Sequence, residues 1–176
     1  MDKDFNKIFA NTIKYEGGYD DSMAQQGVVS NFGITQSLYD AHNKKHKKPV
    51  KSVKEISSYG EARDVAYEEI YEVAKADKIK DPKLKTLLFD YAYNSGPSQA
   101  VKTLQGLVGA KEDGIIGPKT MKKLNKYMKD NEGVLADQYL NERERFLQNL
   151  AIEKPEVHQK HIQGWMNRIN DLRNLQ

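Results

Sequence analysis

Asp81-Pro82-Lys83-Leu84-Lys85-Thr86-Leu87-Leu88-Phe89-Asp90-Tyr91-Ala92-Tyr93-Asn94-Ser95-Gly96-Pro97 is among the most apolar stretches of the chain, and its reading decides the architecture. Asp81 is a natural N-cap and Pro82 suits the first helical position, where no N–H is needed. Leu84, Leu87, Leu88, Tyr91 and Ala92 then recur at helical spacing and face inward. Asn94 and Ser95 stand at the helix end, before Gly96-Pro97. A helix this apolar has to bury its face against the rest of the chain. That argues for one globular domain over residues 1–176.

Similar signals mark the flanking elements. Phe5, Ile8, Phe9 and Ile13 predict a helix from about Asp4 to Tyr15. Thr35 is placed to cap a helix through Leu38, Tyr39 and Ala41. Ser58-Tyr59-Gly60-Glu61 reads as a capping box before Ala62, Val65, Ala66, Ile70, Val73 and Ala74. Pro97 starts a helix that Gly109 stops, and Pro118 starts another through Met121, Leu124 and Met128. Val134 to about Ala151 is a long helix with Leu135, Tyr139, Phe146 and Leu150 on its stripe. Val157, Ile162, Trp165, Met166, Ile169 and Leu172 line the last helix. Every strong period is near 3.6, so the expected class is mainly α, with at most a small β-hairpin near residues 19–35.

The 176 residues are enough for one sizeable core, and 30% charged residues suit a soluble protein. No stretch approaches a membrane span, no apolar segment of the secretory type follows Met1-Asp2-Lys3-Asp4, and there is no cysteine. The net charge is +3, yet Lys44–Lys54 holds six lysines and no acid. The plain reading of that run is a solvated loop; the functional one is weak contact with an anionic envelope surface. No aromatic stacking platform accompanies it, so nucleic acid is not expected.

Glu16-Gly17-Gly18-Tyr19 follows the first predicted helix. The glycines are natural left-handed stop residues, which would put Glu16 in the last turn. There the helix dipole and partial burial would both favour a protonated carboxyl, the state a general acid needs.

Downstream come Asn31-Phe32-Gly33-Ile34-Thr35, Phe89-Asp90-Tyr91-Ala92-Tyr93-Asn94-Ser95-Gly96-Pro97, Leu104-Gln105 and Asp113-Gly114-Ile115-Ile116-Gly117-Pro118-Lys119-Thr120. In this order, over nearly the whole chain, these strings resemble the N-acetylmuramidases of glycoside hydrolase family 108, the phage-lysin and "secretion activator" family. The resemblance implies a lysozyme-like orthogonal helical fold. It also implies a catalytic lobe over residues 1–80, a peptidoglycan-binding-like lobe over 81–130 and a C-terminal helical pair over 131–176 packed on the core. It implies cleavage of the MurNAc–GlcNAc bond of peptidoglycan glycan strands with Glu16 as the general acid and no cofactor. The chain is expected to be a monomer, made in a host cytoplasm without a signal peptide and acting in the periplasm or cell wall after release, as a phage or prophage endolysin does.

The chain departs from the family loop, which reads like D-P-G-G-x-T-x-x-G-I-T. Its aspartate falls on Gln25, its second glycine on Val28 and its first threonine on Ser30. Gln25 cannot ionise, so the second catalytic role passes elsewhere. Three routes stay open: Asp20 or Asp21 folding back across the cleft; a water held by Gln25, Ser30 and Thr35; or attack by the sugar's own hydroxyl, which would make a lytic transglycosylase. A non-catalytic peptidoglycan-binding or secretion-accessory protein is the rival reading. Tyr19, Asn31, Tyr93 and Asn94 complete the candidate substrate contacts. His42 with His46, and His158 with His161, have spacings that share a helix face, but they lack a zinc-protease frame and read as solvated, so no metal is expected.

Overall fold

A computed structural model describes residues 2–175. Helices dominate. In chain order they are α1 (Phe5–Ile13), α2 (Gln36–Lys45), α3 (Tyr59–Ala66), α4 (Pro82–Ser95), α5 (Pro97–Leu107), α6 (Pro118–Asp130), α7 (Leu135–Glu153), α8 (Pro155–His158) and α9 (Ile162–Arg173). Between α1 and α2 lies a small antiparallel sheet of three strands, β1 (Asp20–Met23), β2 (Val28–Asn31) and β3 (Ile34–Thr35), in the order β1-β2-β3. The sheet is one strand more than a hairpin and occupies the predicted place.

Helix α4 is the spine. Asp81 Oδ1 accepts the Leu84 N–H at 2.6 Å, and Pro82 opens the helix. Leu84, Leu87, Leu88, Phe89, Tyr91 and Ala92 are buried. They pack against α1, α5, α7 and the segment after α3. Full burial of such a leucine contributes about 1.5–3 kcal/mol, so this helix cannot stand apart. One cluster of buried side chains runs from Phe5 through to Leu172. Helix α7 is tied to α5 by the Tyr139 hydroxyl, which donates to the Ala100 carbonyl at 2.9 Å, and it also packs on α9.

Two local readings change. Ser58 does cap α3, accepting the Glu61 N–H, but Glu61 reaches Tyr39 and the Ser57 N–H instead of closing a box. The reciprocal box forms six residues earlier, between Ser52 and Glu55. The helix predicted to run on through Ala74 is α-helical only to Ala66; Tyr67–Tyr71 forms a π turn, with the Glu72 N–H reaching back to the Tyr67 carbonyl. The Asp113–Thr120 stretch folds around Gln105. This fully buried amide donates to Asp113 Oδ1 at 2.8 Å and accepts the Gly114 N–H at 2.9 Å. Gly114 has φ +77 and lies against Ser98, where a Cβ would fall 2.5 Å from the hydroxyl. Asp113 is therefore a turn-forming group.

Candidate active site

Helix α1 buries Phe5, Ile8, Phe9 and Thr12 and stops at Lys14. Glu16 lies beyond its last turn, and neither Gly17 nor Gly18 is left-handed. Tertiary contacts override the expected glycine stop. Tyr15 leaves the helix to lay its ring 4.7 Å from the Arg168 guanidinium carbon and to donate its hydroxyl to Asp171 at 2.6 Å. That turn delivers Glu16 to the floor of an open groove of about 670 Å³, which Thr35, Tyr93, Asn94 and Trp165 also line.

Two residues hold the Glu16 carboxylate by one oxygen. Arg168 Nη1 donates to Oε1 at 2.7 Å and Asn94 Nδ2 donates to it at 3.2 Å. Among the described residues, Oε2 accepts no hydrogen bond. Behind this pair is a buried network. Asp90, fully enclosed in the middle of α4, accepts from Arg143 Nη1 at 2.6 Å, from Arg168 Nε and Nη2 at 3.0 and 2.8 Å, and from the Thr12 hydroxyl at 2.9 Å. Arg143 Nη2 donates to Asn94 Oδ1 at 2.7 Å. The Asn94 amide thus relays between Arg143 and Glu16, and the direction of its flip is set by both partners. Burial pushes the Asp90 carboxyl up, but the Arg143 and Arg168 guanidinium groups outweigh it and hold that carboxyl below the usual range. Burial likewise works against the Arg168 charge, and Asp90 and Glu16 more than offset it. Two arginines and two carboxylates balance.

The sheet forms one wall. Asn31 pairs with Ile34 across a two-residue turn in which Phe32 and Gly33 both have positive φ, 52° and 75°. Such turns match the twist of a hairpin. The Tyr93 hydroxyl donates to the Phe32 carbonyl at 2.6 Å and fixes the turn over α4. Gly33 presses on the site: a Cβ there would fall 2.6 Å from Tyr93 Cε1 and 3.0 Å from Glu16 Oε2. The C-terminal segment forms the other wall, where the His161 ring stacks on Trp165 with centroids 6.0 Å apart. Trp165 is half-buried, and its face and polar edge suit a pyranose ring.

The structure brings Glu16, Ser30, Thr35, Tyr93 and Asn94 together on this groove. Tyr93 is largely buried and packs on Phe9 and Phe89, so it serves the site through its hydroxyl. Thr35 also caps α2. Asp20 pairs across the ladder with Ser30, which places it at the rim. Its carboxylate accepts the Ser22 N–H at 2.9 Å; this bond, with lesser help from His161 and Lys160, holds its pKa below the ordinary value. Asp21 is exposed, in the irregular part of β1. Gln25 stands exposed in the 3₁₀ turn between β1 and β2, outside the groove lining. Asn31 is corrected: it is buried, and its amide donates to the Val53 and Ile56 carbonyls, tying β2 to the following loop. Tyr19 is exposed beneath Lys54, whose ammonium lies 5.0 Å from its ring. Of the lysine run, Lys45 is spent on Glu68 and Glu69. His42 is not solvated: it is buried beside the π turn.

Arg143 and Arg168 are absent from the motif reading, as is the role of Asp90. A signal existed. Asp90 sits among Leu87, Leu88, Phe89 and Tyr91; Arg143 falls in step with Tyr139, Phe146 and Leu150; Arg168 falls beside Ile169. A charge on an apolar stripe requires a partner.

Comparison with known proteins places the chain among relatives. The family model described as glycosyl hydrolase 108 matches residues 9–96, half the chain. A second, described as "predicted peptidoglycan domain", matches residues 99–170. Among solved structures, SagA of Brucella abortus is similar, with a TM-score of 0.75 and 26% identity over 96% of this chain and 91% of that one. No curated protein matches.

Proposed function

The chain belongs to glycosyl hydrolase family 108 and acts on peptidoglycan, and from that premise we propose that it is an N-acetylmuramidase cleaving the MurNAc–GlcNAc bond with Glu16 as general acid. The observation that carries this reading is the asymmetry of the Glu16 carboxylate. Oε1 is occupied by Arg168 and Asn94, while Oε2, at the floor of the groove, has no hydrogen-bond partner among the described residues. Oε2 is the oxygen from which a general acid at this position would pass its proton to the bridging oxygen as the C–O bond breaks. Arg168 and Asn94 orient the carboxyl, and they stabilise the carboxylate left behind. A charge-assisted pair aimed where negative charge develops favours the transition state over the ground state.

The oxocarbenium-like centre is met by water. Ser30 and Thr35 supply hydroxyls on the sheet wall, and Asp20 is the carboxylate that the strand register sets beside Ser30. Trp165 offers its face to a sugar ring on the opposite wall. A phage or prophage endolysin is the biological role that suits such a chain, with the lysine run adding weak attraction to an anionic envelope.

Mass spectrometry of fragments from purified peptidoglycan tests the reading. Muramidase action gives fragments with reducing MurNAc ends. Anhydro-muramyl ends, lighter by one water, would assign transglycosylation through the same Glu16. Reducing GlcNAc ends would overturn the bond assignment, and binding without soluble fragments would favour the non-catalytic rival.

A further inference from the structure

Away from the groove, the C-terminal half of α2 faces the π turn Tyr67–Tyr71. His42 in the last turns of α2 and His46, which caps its C-terminus, bring their ring centroids to 4.5 Å. An α-helix would send neighbouring residues in divergent directions; the extra residue of a π turn changes that, and such turns are frequent at functional sites. Here Glu68 and Glu69 both reach the histidines. Glu68 Oε2 lies 2.7 Å from His46 Nε2 and 3.9 Å from His42 Nδ1, and Glu69 Oε1 lies 3.7 Å from His42 Nδ1. Ligand atoms of His42, His46 and Glu68 all fall within 4.8 Å of one another. They border an open pocket of about 480 Å³.

Two atoms in this cluster are orphans. His42 Nδ1 and Glu69 Oε1 are buried and neither has a hydrogen-bond partner among the described residues; Glu69 Oε1 has only the loose ion pair with Lys45 at 3.5 Å. Buried polar atoms without partners are rare in folded proteins. His42 as a whole is 4% exposed, so the unpaired nitrogen is aimed into the cluster from the protein side. The cation that now holds the carboxylates is the Lys45 ammonium, 2.9 Å from Glu68 and 3.5 Å from Glu69, on a side chain half exposed and free to swing out.

We propose that His42, His46, Glu68 and Glu69 form a binding site for a divalent transition-metal ion of the zinc class, in which the ion takes the place of the Lys45 ammonium. Two imidazole nitrogens and two carboxylate oxygens are a donor set that suits zinc. Zinc–ligand bonds of about 2.0–2.2 Å put tetrahedral ligand atoms about 3.4 Å apart. The 3.9 Å His42–Glu68 and 3.7 Å His42–Glu69 separations contract to reach this, the His46–Glu68 hydrogen bond opens, and Glu69, which lies outside the 4.8 Å group, turns in towards it. One ion then satisfies both orphans. The ion would pin α2, whose first residue follows the groove threonine Thr35, to the π turn. This site is independent of the chemistry at Glu16.

The test uses the full, tag-free chain stripped with chelator and titrated with zinc chloride. Calorimetry is expected to show one equivalent bound. At about 100 times the dissociation constant, the thermal midpoint is expected to rise by about 5–10 °C. His46→Gln and Glu68→Gln alter side chains that are 37% and 26% exposed and keep their size, so these variants keep the fold; each is expected to weaken binding at least about tenfold. Lys45→Ala removes the competing cation and is expected to tighten binding several-fold, by ~1 kcal/mol or less of lost competition. His158→Gln, in the other histidine pair, is expected to leave binding unchanged. No heat and no rise in the unaltered chain would overturn the proposal. So would a rise that persists undiminished in both ligand variants.

Discussion

The two sides of Glu16 are built differently. Below it, the buried Asp90, Arg143, Arg168 and Thr12 join the exposed Asn94 in a hydrogen-bonded network whose charges balance once Glu16 is counted. Above it, β1 and the turn to β2 are exposed from Asp20 to Gln25, and Asp20 answers to the backbone and hydroxyl of Ser22, with lesser help from His161 and Lys160. The floor over-determines the position of one carboxylate; the rim leaves two others with little to hold them. A general acid must be aimed at one oxygen atom, whereas a group that steers water works within a looser geometry. On the proposed mechanism, the contrast would let the chain do without an ionisable group at Gln25, because demanding placement is concentrated in the floor.

Breaking the floor should have the largest effect. Asp90→Asn leaves two buried guanidinium groups short of a counter-charge and is expected to cost about 3–5 kcal/mol, seen as a lower thermal midpoint and loss of wall clearing. The pH dependence has a definite sign. The Asp90 carboxyl is held below its ordinary value of 3.8 when folded. Its contribution is therefore complete above that pH and is lost as pH falls through the lower, folded value. Unfolding followed from pH 6 to pH 2 should show an acid-induced loss that Asp90→Asn flattens.

Gly33→Ala tests the contact between floor and rim. The new methyl meets Tyr93 and Glu16 Oε2 at a positive φ. Displacing the carboxyl by a fraction of an ångström is expected to reduce turnover up to about 100-fold, with a smaller loss of stability of about 1–2 kcal/mol. Unchanged kinetics would separate the turn from the site. Trp165→Ala is expected to raise KM about three- to tenfold with kcat little altered, since the ring binds sugar without touching the reacting atoms. The smallest effects belong to the rim: Asp20→Asn should slow turnover several-fold and Asp21→Asn less than about twofold, within the range of single surface changes. Equal losses would remove the preference for the residue paired with Ser30.

The legible parts of the fold are those with local causes. Asp81-Pro82, Thr35, Pro97 and Pro118 start helices because capping and fixed φ act within one turn. The Phe32-Gly33 turn and Glu16 were visible as motifs. The floor was not, because Arg143 and Arg168 lie 53 and 78 residues from Asp90 along the chain. Nor was the end of α1, where Arg168 draws Tyr15 out of the helix. The π turn escaped for a related reason. Glu68 and Glu69 look like solvated helix residues until α2 packs beside them.

Glu16→Gln tests the central claim most directly, measured as release of soluble fragments from peptidoglycan together with the thermal midpoint. Glutamine keeps the shape and can still accept from Arg168, and Arg168 keeps Asp90. The account predicts a fall in turnover of about 10²–10⁴-fold with the midpoint moved by only a few degrees. Full turnover in this variant would contradict it.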